Sequence, residues 1–218
     1  MELSRARCFA IGGPAVCRVD TDEPLVALTF DDGPTRLGVD SILPELERHG
    51  ARATFFVIGQ ELRAEPQLGR RIVSSGHELA NHSFSHARMV GRASSFYAAE
   101  LEGTQRELRK VGAAASLFRP PYGKKLWGLP LALRRSGLTM IMWDVEDPTT
   151  SDPARFASEV VQAARPGSII LLHAMYPANQ TARDALPAIL AGLQAKGYRV
   201  VTAQELLRAG RRSAAPAP

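Results

Sequence analysis

The 218-residue chain contains no apolar run approaching the roughly 20 residues that a bilayer-spanning helix requires, so no transmembrane segment is expected. Its N-terminal stretch, Met1 to Cys17, is broken by Arg5, Arg7, Gly12, Gly13 and Pro14. It therefore lacks the apolar core of about 7 to 15 residues typical of a secretory signal. Two compartments fit: the cytoplasm, or the cell envelope or exterior if this is the mature part of an exported protein. Cysteine is scarce. Cys8 and Cys17 are the two present, and their spacing matches neither a CxxC metal knuckle nor a redox motif. A bridge closing the N-terminal loop and two free thiols are equally compatible with it. No block of five or six like charges occurs either. The net charge of +5 and pI near 9.6 suit an acidic partner such as an anionic cell-wall polymer. The basic residues are nevertheless scattered (Arg5, Arg7, Arg70-Arg71, Lys124-Lys125, Arg134-Arg135, Arg211-Arg212), so nucleic acid is not an expected partner. Internal repeats and long linkers are also missing, and a monomer is the default.

What remains is an ordinary globular composition, 45% hydrophobic and 22% charged, sized for one core. Seven apolar, β-rich segments recur: Leu25–Phe30, Ala53–Ile58, His77–Ala80, Ser116–Phe118, Thr139–Val145, Ser168–Leu172 and Tyr198–Thr202. Helical patterns separate them. Val39, Ile42, Leu43 and Leu46 share one helical face before Gly50, and Leu62, Leu68, Ile72 and Val73 share another before Gly76. Further helices are predicted over Ala93–Val111, Leu126–Arg135, Ala154–Ala164, Ala182–Ala195 and Ala203–Leu207. Strands alternating with helices indicate βα units and a parallel sheet, either a barrel or an open doubly wound sheet. The predicted domain covers 25–210, with an N-terminal segment 1–24 before it and a short disordered tail, 211–218, after it.

Each strand ends in a polar or Gly/Pro cluster: Asp31-Asp32-Gly33-Pro34, Asn81-His82-Ser83, Arg119-Pro120-Pro121-Tyr122-Gly123, Asp144 to Asp152, and His173. In βα barrels that end carries the active site, so clusters distant in sequence should converge. The acid pair is the most informative. Neighbouring side chains on a strand point to opposite faces, so Asp31 and Asp32 can serve one site only where the strand ends and bends, here at Gly33-Pro34. A solvated turn with two capping acids is the alternative. His82 and His86, at i and i+4, could face one metal if that stretch is helical. One acid of the pair would complete a two-histidine, one-carboxylate set that suits Zn²⁺ or another divalent transition ion.

Thr29-Phe30-Asp31-Asp32-Gly33-Pro34, His82-x-x-x-His86, Arg119-Pro-Pro-Tyr122 and Leu171-Leu172-His173 occur in that order. This order resembles the polysaccharide deacetylases of the NodB-homology type, carbohydrate esterase family four, over about Leu25 to Leu207. The resemblance implies a distorted (β/α)7 barrel. It also implies a metal-dependent hydrolase that removes N-acetyl, and in some cases O-acetyl, groups from amino-sugar glycans such as chitin oligomers or peptidoglycan. By the same resemblance Asp32, His82 and His86 bind the metal, Asp31 is the base acting on the attacking water, and Arg119 orients that base. Tyr122 offers its backbone N–H to the oxyanion, His173 is the general acid, and Leu171 lines the pocket for the acetyl methyl. Zn²⁺ is the expected ion, and Co²⁺, Mn²⁺ or Ni²⁺ suit the same donors.

One motif departs from the family. After the fifth strand the family usually has an Asp, two variable residues and then Asp-Trp, the first Asp tuning the late histidine. Here the chain reads Trp143-Asp144-Val145-Glu146-Asp147 and, further on, Asp152-Pro153. Glu146 is expected in the first acid's place, with Asp144 and Asp147 as rivals, and Asp152-Pro153 at the Asp-Trp position. Either Trp143 or Trp127 replaces the missing pocket tryptophan, or the groove is simply more open. The departure keeps two other readings open: hydrolysis of a small amide or imide on the same site, and a catalytically silent glycan-binding protein.

Overall fold

Val26, Leu28 and Phe30 alternate with Ala27, Thr29 and Asp31 along strand β2 (Leu25–Gly33), and all six are buried. The first set packs into one apolar cluster with Phe55, Leu172 and the surrounding helices, whereas Ala27 belongs to a second with Phe56, Phe118 and Leu171. A strand with two buried faces must lie between a helical layer and an enclosed interior, as parallel βα folds require. Fully burying each such phenylalanine contributes about 2 to 3 kcal/mol.

The computed structural model describes Cys8 and residues 15–126 and 128–213. After β1 (Ala15–Val16) and β2 come α1 (Arg36–Arg48), β3 (Thr54–Val57), α2 (Gly59–Ala64), α3 (Pro66–Ser74), β4 (Glu78–Asn81), α4 (Ser94–Lys110) and β5 (Leu117–Phe118). Then follow α5 (Leu129–Arg135), β6 (Thr139–Ile141), α6 (Pro153–Ala163), β7 (Ile169–His173), α7 (Gln180–Ala195), β8 (Arg199–Val201) and α8 (Ala203–Ser213). The sheet order is β1-β6-β5-β4-β3-β2-β7, with β8 also paired to β2. All these pairings are parallel. Beyond β6, Val145 bridges Ile170 of β7 in parallel, and Leu171 N donates to the Val145 carbonyl. This short contact closes the sheet into a distorted barrel and discards the open doubly wound alternative.

Several boundaries differ from expectation for local reasons. The predicted helix through Leu62 and Val73 is two helices, because Pro66 has no N–H to donate and keeps Glu65 out of helical geometry. The segment before residue 25 supplies β1, whose Ala15 and Val16 pair with Met140 and Ile141. Cys8 and Cys17 form a disulfide. Arg211 and Arg212, assigned to the tail, belong instead to α8, where Arg212 pairs with Glu23 at 3.2 Å. Residues 214–218 of the expected tail, and Trp127, lie outside the described residues.

Candidate active site

The acid pair is opened by a bulge. The register of β2 against β3 shifts between Asp31 and Gly33, and Asp32 takes a left-handed φ of 73°, which a bulge permits and a regular strand does not. The bend thus falls on Asp32 itself, one residue before the expected Gly33-Pro34, and turns its side chain toward the site that Asp31 faces. Gly33 packs closely behind it: a Cβ there would sit 2.8 Å from Met175 Sδ, so the methionine side chain would have to shift.

His82 to His86 is not helical. Ser83 and His86 both have positive φ, and the loop is held from outside. The Glu100 carboxylate on α4 accepts from Phe84 N, Ser85 N and Ser85 Oγ at 2.8–3.0 Å, and the Asn81 side chain accepts from Ser83 N at 2.9 Å. Both imidazoles still converge. His86 Nε2 lies 3.2 Å from Asp32 Oδ1, and His82 Nε2 lies 3.5 Å from the same atom. The opposite nitrogen of His82, Nδ1, is 2.8 Å from the Arg119 carbonyl, which makes Nδ1 the donor and leaves Nε2 with a lone pair for a metal.

Among the described residues Asp32, His82 and His86 form a group able to hold a cation, with ligand atoms within 4.8 Å of one another. Asp32 Oδ1 is buried and makes no hydrogen bond, a costly state for a carboxylate oxygen unless something else satisfies it. A divalent cation fits that need, and the donor set suits one. The electrostatics agree. Burial pushes the Asp32 carboxyl up, but His82 and the charges of His173 and His86 outweigh it and hold the group below the usual range. Burial, then His82, pushes His86 down, favouring the neutral ring that a metal ligand needs.

Asp31 is held from below. Arg119 is fully buried and stacks 4.1 Å above the Phe56 ring. Its guanidinium donates to Asp31 Oδ1 at 2.7 Å, Thr29 Oγ1 at 2.8 Å and the Met142 carbonyl at 3.1 Å. Asp31 Oδ2 lies 3.6 Å from His82 Nε2, so the second oxygen faces the metal-ligand cluster.

The partner of His173 is Asp147, correcting the expectation of Glu146. His173 Nδ1 is 2.6 Å from Asp147 Oδ2, and the Asp147 carboxylate also accepts from His173 N. Glu146 instead accepts from Trp143 Nε1 at 2.9 Å. Asp144 turns away, accepting from Ser168 Oγ and Ile169 N, and Asp152 caps α6 through Ala154 N at 2.9 Å. Burial alone would lower the His173 pKa; the Asp147 hydrogen bond and the charges of Asp31, Asp147 and Asp32 raise it to about 9. His173 Nε2 points toward Asp32 Oδ2 at 3.9 Å.

These groups line one cleft of about 390 Å³ at the carboxyl ends of the strands. Leu171 and Trp143 lie in its wall, as expected, with Tyr122, Gly123, Glu146 and Asp147. Tyr122 adopts φ 58° and is 60% exposed. Among the described residues no helix is long and apolar enough to cross a membrane.

The polysaccharide deacetylase family model matches residues 18–141. The chain is 34% identical over 190 residues to a chitooligosaccharide deacetylase of Bradyrhizobium sp. (strain ANU 289), covering 80% of this chain and 87% of that protein. It is 33% identical over 192 residues to the peptidoglycan-N-acetylmuramic acid deacetylase PdaC of Bacillus subtilis (strain 168), covering 86% of this chain and 40% of the length of PdaC. Among solved structures it resembles the Bc1960 peptidoglycan N-acetylglucosamine deacetylase, with TM-score 0.84, 29% identity, and coverage of 89% of this chain and 92% of that one.

Proposed function

Because the chain belongs to the polysaccharide deacetylase family, we propose that it hydrolyses acetamido groups on amino-sugar glycans such as chitin oligomers or peptidoglycan. The observation that carries this reading is the placement of two differently supported acid–base groups around one cation-binding set: Asp31 fixed by Arg119, and His173 fixed by Asp147.

Asp32, His82 and His86 would hold the divalent ion, Zn²⁺ first and Co²⁺, Mn²⁺ or Ni²⁺ with the same donors; when bound, it supplies Lewis acidity that makes water a nucleophile near neutral pH and polarises the acetyl carbonyl. Asp31 acts as base. It takes the proton from the attacking water as the new C–O bond forms, and the Arg119 hydrogen bond keeps its carboxylate aimed. The amide nitrogen leaves poorly unless protonated. His173 Nε2 therefore gives its proton to that nitrogen as the C–N bond breaks, releasing acetate and a free amine. Asp147 holds the ring so that Nδ1 stays protonated and Nε2 faces the cleft. The Tyr122 N–H stabilises the developing oxyanion, a contribution of about 3 to 4 kcal/mol for one well-placed donor. Leu171 and Trp143 bound the space for the acetyl methyl.

An open cleft with a largely exposed Tyr122 on its wall supports a glycan over a small enclosed amide. The Cys8–Cys17 disulfide supports an oxidising location, outside the cytoplasm, where such glycans occur. Acetate release from chitooligosaccharides and peptidoglycan fragments is the direct assay. Release should stop with a chelator, return with a defined divalent ion, and be absent in Asp31→Asn. No hydrolysis across a broad panel of acetylated sugars would remove the reading.

A further inference from the structure

The 22 acidic residues are unevenly placed along the chain. None falls in residues 79–99 or 108–143, which hold nine of the 27 lysines and arginines, so the rest of the chain has 18 basic against 22 acidic residues. A net charge of +5 thus divides into a basic part and a weakly acidic remainder. The two segments meet in the fold. β4 pairs with β5 and β5 with β6, and Gly128, just before α5, lies so close to α4 that a Cβ there would sit 2.5 Å from the Tyr97 ring. The α4 acids that separate the segments in sequence are already engaged: Glu100 by the His82–His86 loop, Glu102 by Arg109 and Glu107 by Lys110.

On this side α5 mixes charge with apolar surface. Leu129 and Leu133 are buried, which turns Leu131, Arg134 and Arg135 outward, and their spacing of three and four puts them on one stripe. Leu131 is 50% exposed, and Leu126, two residues before Gly128, is 49% exposed. A groove of about 170 Å³ runs between α4 and α5, with walls that include Tyr97, Ala98, Leu131 and Ala132. Arg92, Arg135 and Gly128 line it too, and exposed Lys124 stands four residues before Gly128. A soluble polyanion would engage the cations and leave the two leucines in water. A bilayer interface engages both, because headgroup phosphates meet the cations while the leucines enter the acyl boundary.

We propose that this face, formed by Arg92, Lys124, Leu126, Leu131, Arg134 and Arg135, docks the protein peripherally on a bilayer that contains anionic phospholipid. A spanning helix is not needed for this. Each cation close to such a surface strengthens binding about five-fold, and shallow burial of the two leucines adds an apolar contribution. The contact is separate from the Asp32, His82 and His86 set and does not depend on the deacetylase reading. Tyr122 and Gly123 line the cleft and Lys124 follows them directly in the chain, so docking holds the mouth of the cleft near the bilayer surface.

The test is sedimentation of the full chain with vesicles of phosphatidylcholine alone and of an equal mixture of phosphatidylcholine and phosphatidylglycerol, beside calorimetry with soluble inorganic polyphosphate. Wild type should bind the mixed vesicles at least about ten-fold more tightly than the neutral ones. Arg134→Gln/Arg135→Gln should weaken that binding about twenty-fold, whereas Arg134→Lys/Arg135→Lys, which keeps the charge, should bind as wild type does. Arg70→Gln/Arg71→Gln, on α3 and outside this face, should change nothing. Leu126→Ser/Leu131→Ser should lower vesicle binding about ten-fold and leave polyphosphate binding as it was. All these side chains are exposed, so each variant should unfold at the wild-type temperature. Equal binding to neutral and mixed vesicles, or an equal loss in the α3 variant, overturns the proposal. So does vesicle binding that ignores the leucine pair, which would make the partner a soluble polyanion instead.

Discussion

Arg119 Nη1 lies 2.7 Å from Asp31 Oδ1, and neither side chain is more than 4% exposed. The same guanidinium bonds Thr29 on β2 and the Met142 carbonyl after β6, so one buried cation ties together opposite sides of the barrel and fixes the Asp31 carboxylate. Burying such a charge is tolerable only with its partners in place.

Arg119→Met should therefore destabilise the fold by about 3 to 5 kcal/mol, because it strands Asp31. Urea denaturation of the two single variants and the double variant Arg119→Met/Asp31→Asn measures this. The double variant should be more stable than Arg119→Met alone; simple additivity would show that the two groups do not depend on each other.

The two acids of the bulge should separate functionally. Asp32→Asn removes a ligand and should weaken divalent-ion binding at least ten-fold. Asp31→Asn should keep the ion bound and lose turnover. Metal content after dialysis, read beside acetate release, distinguishes them, and equal metal loss in both would mean that the roles are divided wrongly.

His173 should act in its protonated form, and its pKa is raised to about 9 with Asp147 the first of the raising contacts. Activity supported by this acid is present below that value and is lost as pH rises through it. Asp147→Asn removes a raising interaction, so the alkaline limb of the kcat profile should move to lower pH and kcat should fall by about ten-fold or more. Glu146→Gln, whose carboxylate holds Trp143, should leave that limb in place. A shift with Glu146→Gln and none with Asp147→Asn would reverse the assignment.

His77 gives a pH dependence of stability away from the site. Its Nδ1 accepts from Ala53 N at 3.3 Å, and burial, with Arg52 nearby, lowers its pKa to about 4. The folded chain thus binds this proton less readily than the unfolded chain does. At neutral pH the effect is absent; it grows as pH falls from about 6.5 toward 4, costing up to about 3 kcal/mol. Unfolding measured at pH 7 and pH 5 should show a larger loss in wild type than in His77→Gln; identical losses would contradict it.

Much of this was local in the chain. Alternation in Leu25–Phe30 and helical spacing in Val39–Leu46 announced βα units, because side-chain periodicity follows from backbone geometry. Asp31, Asp32, His82, His86, Arg119 and His173 each follow an apolar segment, and their order identified the family. The helical expectation for His82–His86 failed because Glu100, on the following helix and 15 residues beyond Ser85, captures the loop's N–H groups. No local propensity records such a partner.

The sequence by itself determined that apolar segments run into Asp31-Asp32, Asn81-His82, Arg119 and His173, and that such ends gather at one end of a βα fold. Only the tertiary structure decided how those ends meet: the bulge that swings Asp32 beside Asp31, the reach of Arg119 across the barrel to Thr29 and Asp31, and the choice of Asp147 over Glu146 and Asp144. The reason is geometric. After Ile141 the chain leaves regular strand pairing, two-residue periodicity no longer says which side chain faces inward, and the outcome rests on contacts with β7 that lie more than 20 residues away in sequence.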